Sequence, residues 1–188
     1  MFGRIGCGGF GLSQLGGICR AAAENWWEAG GAAGCLAAYK SKGAASYAAS
    51  KVNLVSPGTY DLTDGATFPD WDATNGWKKT VSTQRLRTGI IVSDLTWTMI
   101  VRVENCVASK SSSCFAAGNL SFYIVPIFAL RDAFYRYGTG ANFIDYNGAT
   151  ISGVLAIAGK SVYKNGALLG TIPAGGTLSA VELYICNS

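Results

Sequence analysis

Between residues 96 and 104 apolar and polar side chains alternate. Trp97, Met99, Val101 and Val103 fall on one face, and Thr98, Ile100, Arg102 and Glu104 on the other. Alternation of this kind predicts a half-buried antiparallel strand. Shorter stretches of strand character follow at 120–128, 133–137, 142–146, 153–158, 161–164, 167–172 and 178–185. Two of them flank Asn165-Gly166, the dipeptide that most readily supplies the two positive φ angles of a type I′ turn, so 161–172 reads as a hairpin with Tyr163 just before its turn. Many short strands joined by Gly-rich turns predict an all-β fold, an antiparallel β-sandwich or jelly roll.

Residues 1–34 break this pattern. They are rich in Gly and Ala and hold no sustained period of 2 or 3.6, which marks them as an N-terminal arm ahead of one domain at 35–188. Alanine propensity favours a short helix at 19–28, but Trp26 and Trp27 are adjacent and cannot share one helical stripe. Paired tryptophans in such an arm suit docking on a partner surface, where Trp supplies much of the binding energy, or capping of the chain's own sandwich.

Composition sharpens this reading. Charged residues make up 14% of the 188-residue chain and apolar residues 49%, against a usual charged share of about 25%. So little charge leaves surface for something other than water to cover, and identical neighbours are the simplest cover. The net charge of +4 is too mild for a nucleic-acid footprint. Lys78, Lys79, Arg85 and Arg87 lie close to Asp61, Asp64, Asp70 and Asp72, which offer them partners. No apolar run reaches the ~18 residues of a membrane-spanning helix, and the glycine-rich start does not make a secretory h-region.

The block at 35–62, followed by Trp71-Asp72 and Gly76-Trp77, then by Gln84-Arg85-Leu86-Arg87-Thr88-Gly89-Ile90 and by Tyr163-Lys164-Asn165-Gly166, resembles the laminin-G-like branch of the concanavalin A-like jelly rolls, in the form found in bacteriophage virion proteins. The resemblance covers about residues 35–188. It implies a jelly-roll sandwich and a place on a capsid, tail or fibre, although that fold also carries lectins, glycanases and adhesion modules. Members usually continue past the strand that stands here as Leu183-Tyr184-Ile185-Cys186. The resemblance therefore implies either closure of the sheet by the arm or an open edge for another chain.

Candidate chemistry is sparse. With no histidine there is no Ser-His or Cys-His pair and no imidazole base. A two-carboxylate glycanase would need paired acids flanking the scissile bond; Glu24 and Glu28 lie in the arm, and Glu104 ends a strand. An enzyme is not expected, and neither is a cofactor or a metal, since no acidic cluster lies near the loops where some relatives hold calcium. Aromatic and amide side chains at Tyr135, Tyr137, Asn142, Asp145, Tyr146 and Asn147 provide the mixture a sugar site needs, or are ordinary strand and turn residues. Of the six cysteines, Cys106 and Cys114 bracket a Ser-rich stretch and are disulfide candidates across a hairpin in an oxidising place; the alternative is that all six are reduced apolar fillers.

The expected function is that of a non-enzymatic structural virion protein that self-assembles or decorates a particle. Its partners would be its own copies or other virion proteins, with neither nucleic acid nor membrane. The alternatives are a glycan-binding host-recognition module and an extracellular filament or surface-layer subunit.

Overall fold

A computed structural model describes residues 35–81, 83–92, 96–104, 115–117, 122–126, 134–137, 143–145, 152–173 and 180–186; at 115–117, 134–137 and 143–145 the description is of the backbone alone. The described strands are β1 (Thr63–Asp64), β2 (Asp70–Asp72), β3 (Gly76–Lys78), β4 (Leu86–Val92), β5 (Thr98–Val103), β6 (Phe115–Ala117), β7 (Phe122–Val125), β8 (Phe134–Tyr137), β9 (Phe143–Asp145), β10 (Gly153–Ala158), β11 (Ser161–Lys164), β12 (Ala167–Thr171) and β13 (Val181–Ile185), with one helical turn, α1 (Tyr47–Ser50). The protein is all-β. Its ladders between these strands are antiparallel.

Seven strands form one sheet in the order β1-β4-β13-β6-β7-β8-β9, four form a second in the order β12-β11-β10-β5, and β2 and β3 make a separate hairpin. One buried cluster draws on both larger sheets. Val92, Phe122, Ile124 and Leu183 come from the seven-stranded sheet, and Met99, Val103, Leu155, Ile157 and Val162 from the four-stranded one. Each such side chain contributes about 1.5–3 kcal/mol when fully buried. The alternation at 96–104 appears as expected, with Met99 and Val103 buried, Val101 packed against the cluster, and Thr98, Ile100 and Arg102 exposed. β7 is different: all four of its residues are buried. Phe122 and Ile124 join the common core, while Tyr123 and Val125 form a second, separate cluster.

The Asn165-Gly166 turn forms as its sequence dictates. Both residues have positive φ, 50° and 82°, and Lys164 pairs with Ala167 directly across the turn. Less foreseeable is the seam between β4 and β13. Arg87 pairs with Tyr184 and Ile91 with Glu182, so three residues of β4 face one of β13. Gly89, at φ +68°, takes the left-handed turn of this bulge at no steric cost. Thr88, 1% exposed, donates its hydroxyl to the Leu183 carbonyl and accepts the Ile90 N–H, so its buried hydroxyl is satisfied as both donor and acceptor.

Glu182 clasps the same bulge from outside. Its carboxylate accepts the Gly89 N–H at 2.9 Å and two N–H bonds from Arg87, at 3.0 and 2.8 Å. Arg87 therefore finds its carboxylate here. Of the nearby aspartates, Asp64 takes Lys51, Asp61 takes the Asn53 N–H, and Asp72 caps the turn at Thr74 and Asn75. Partial burial pushes the Glu182 carboxyl upward, but the Arg87 and Gly89 bonds outweigh it and hold the group below its ordinary range. A depressed carboxylate contributes stability above its unfolded value and loses it as pH falls through the folded one. Stability should therefore decline through and below the ordinary carboxylate range, and Glu182→Gln should flatten part of that decline. Urea midpoints across a pH series check this, and an unchanged pH dependence in the variant refutes it.

Candidate functional site

The four-stranded sheet turns one face to the core, and the other carries the feature of most interest. Register fixes its composition. Ile100 pairs with Ala156, Ala156 with Tyr163, and Tyr163 with Leu168, so these four residues form one row across all four strands. The ends of the row are bare: Ile100 is 48% and Leu168 59% exposed, and Val154, two residues along β10 from Ala156, is 37% exposed. Single exposed apolar residues are ordinary; these lie in one contiguous row on one sheet face, the kind of feature that raises the question of a partner.

The two edges of this sheet differ. β5 carries Arg102, whose guanidinium is 76% exposed and pairs with Glu104 at 2.9 Å. β12 reads Ala-Leu-Leu-Gly-Thr, with neither charge nor proline to discourage pairing by another strand. Its companion β11 holds Leu168 in register with Tyr163, after which a bulge shifts Val162 to face Gly170.

At one end of the face lies a groove of about 460 Å³ bordered by Arg102, Glu104, Val154 and Asn165. Glu104 is bonded there by Lys42 at 2.8 Å as well as by Arg102, and Lys42 first, then Arg102, hold its carboxyl below the ordinary range. A carboxylate kept ionised between two cations is a clasp between β5 and the loop at Lys42, not a proton donor. Among the described residues no group of three or more Cys, Asp or Glu converges as a metal site would require.

The sugar-site candidates fall elsewhere. In β8, Tyr135 pairs with Ile124 and Tyr137 with Phe122 in the backbone register. Asp145 pairs with Phe134 at the edge strand β9. Asn142, Tyr146 and Asn147 lie outside the described residues, as do Trp26, Trp27, Cys106 and Cys114. Cys35 and Cys186 are free thiols. Burial pushes both upward, Cys186 to about 11 against the opposing charge of Lys79, so both are poor nucleophiles.

A second aromatic group sits beside α1. The Tyr47 ring lies tilted against Phe68, 5.6 Å between centroids, and against Trp71 at 6.4 Å, with the Lys51 ammonium over its face at 4.4 Å. Its hydroxyl donates to Asp64. Burial, followed by the Asp64 bond and charge, raises the Tyr47 phenol above its ordinary range. Trp71 and Trp77 donate their indole N–H groups to the Ser41 carbonyl and the Ser50 hydroxyl. These tryptophans are anchors that tie the α1 segment to the β2–β3 hairpin. Phe68, 53% exposed, is the bare member of the group.

Sequence patterning pointed Ile100 outward but missed the row it belongs to. The signal was present in part: a two-residue turn at Asn165-Gly166 sets Tyr163 opposite Leu168 by counting alone. Placing Ala156 and Ile100 beside them needs the β10–β5 register, which no local pattern encodes. No family model, curated protein or solved structure matches the chain.

Proposed function

We propose that this chain is a non-enzymatic structural protein of a bacteriophage virion. On this reading it is a laminin-G-like jelly-roll sandwich that packs with its own copies, or decorates a capsid or tail, through the outer face of the four-stranded sheet and the arm at 1–34. The observation that carries the assembly half of the reading is the apolar row Ile100, Ala156, Tyr163 and Leu168, bare at both ends and bordered by an uncharged edge strand. The sandwich is supported by a core to which both sheets contribute. The assignment to a virion rests on the resemblance of the blocks at 35–62, 84–90 and 163–166. The lack of any histidine and the low charge fraction favour a packing role over catalysis.

The test is the assembly state of the full chain by light scattering and negative-stain microscopy, alone and with phage particles. Wild-type protein should form ordered oligomers or bind particles. Leu168→Glu, which buries a carboxylate at the contact, should weaken association by about a hundredfold or more, while far-UV circular dichroism stays unchanged. A wild-type monomer that neither self-associates nor binds particles overturns the reading. Association that is indifferent to Leu168→Glu removes this face from it, and deletion of residues 1–30 then tests the arm.

A further inference from the structure

We infer that Asn165 is a site of spontaneous deamidation that the folded hairpin holds shut. The chemistry is internal to the chain. The backbone nitrogen of Gly166 attacks Cγ of Asn165, the Cγ–Nδ2 bond breaks and ammonia leaves, and water then opens the resulting five-membered imide at either carbonyl to give aspartate or isoaspartate. Asn-Gly pairs favour this reaction because glycine offers no side chain to obstruct its own nitrogen. No oxidant, metal or enzyme is required.

Two features of the fold oppose ring closure. Closing the ring requires the Cα–Cβ bond of Asn165 to eclipse the following peptide C–N bond, which means turning ψ far from the roughly +30° of a type I′ turn. Asn165 is held in that turn at φ 50°, and its N–H donates to the Val154 carbonyl at 2.7 Å. The side chain is fixed as well. Oδ1 accepts the Val154 N–H at 2.9 Å, so backbone and amide together clasp one residue of β10. The space is tight, because a methyl group on Gly153 would lie 2.8 Å from Oδ1. Cγ is thus locked away from its nucleophile until the β11–β12 hairpin lifts from β10.

The consequence is a one-way change. Isoaspartate adds a methylene to the main chain in the two-residue turn that sets the β11–β12 register, and either product adds a negative charge at the groove beside Arg102. An opening event that would otherwise reverse becomes fixed.

The experiment follows conversion at Asn165 in the full chain by peptide mass spectrometry in mildly alkaline buffer, native and in urea. The chain contains two further Asn-Gly pairs, Asn75-Gly76 and Asn147-Gly148, and in urea all three should convert at similar rates, which controls for the chemistry. In native protein Asn165 should convert at least about tenfold more slowly than in urea, because reaction waits on local opening. Equal or faster conversion in the native state overturns the inference. Val154→Pro, which deletes the donor to Oδ1, and Gly153→Ala, which crowds Oδ1, should each raise the native rate toward the unfolded one. A folded variant of either kind that converts as slowly as wild type overturns the role of the clasp. If neither variant folds, the native-to-urea ratio of the wild type decides alone.

Discussion

Replacing Asn53 with leucine is expected to cost about 4 kcal/mol, although leucine has the same branching and the same number of side-chain heavy atoms. Asn53 is fully buried and all of its side-chain capacity is used. Oδ1 accepts the N–H groups of Ala38 and Val55, each at 3.1 Å, and Nδ2 donates to the Leu36 and Thr59 carbonyls at 3.1 and 2.8 Å. One amide therefore gathers four backbone groups from a segment that has almost no regular structure of its own. Leucine would leave those groups unpaired, and each one kept from water costs about 1–3 kcal/mol. Asn53→Asp should be comparably damaging for a different reason: the two accepted bonds survive, but a carboxylate then faces two carbonyl oxygens. Urea midpoints measure both, and a loss below about 1 kcal/mol in each, the ordinary cost of an arbitrary substitution, would mean that residues 35–62 are not held by this amide.

Phe122→Ala should cost about 3–5 kcal/mol, the usual range for emptying an aromatic site in a packed core. Phe122 has no exposed surface and belongs to the cluster shared by both larger sheets. Its removal should lower the denaturation midpoint without changing the slope, because the surface exposed on full unfolding is nearly the same. Ile91→Ala provides the contrast. Ile91 alternates with buried neighbours on β4 and is 50% exposed, so its loss should fall within about 0.5 kcal/mol. Equal effects at the two positions would contradict the placement of the core.

The parts of this fold that were legible in the sequence are those that a short stretch of chain determines by itself. The alternation at 96–104 sets which side chains of β5 go inward, because successive residues of a strand point to opposite faces. Asn165-Gly166 locates a turn and the strands on either side of it. Strand character at 133–137 was equally visible, but not the register of β8 against β7, which joins segments that no local pattern aligns. The bulge at Thr88-Gly89 was hidden for the same reason. Its glycine and threonine stood out as a motif, yet their purpose appears only when Glu182, 95 residues away from Arg87, is brought alongside. Asn53 gave no signal at all, because a buried asparagine that organises a loop is indistinguishable in sequence from one in an ordinary turn.

The position of β13 bears on how the molecule comes to be made. It lies between β4 and β6, so the β1–β4 ribbon and the β6–β9 meander cannot become one sheet until residues 181–185 have left the ribosome. Pairings this distant close slowly, because loop-closure entropy is spent before the contacts reward it. Meanwhile the flanks of β4 and β6 that β13 will occupy stand open, and β4 carries Ile90, Ile91 and Val92 in succession. During synthesis these two flanks offer nascent chains on neighbouring ribosomes a place to pair wrongly, a hazard that ends only when β13 slides in and seals them.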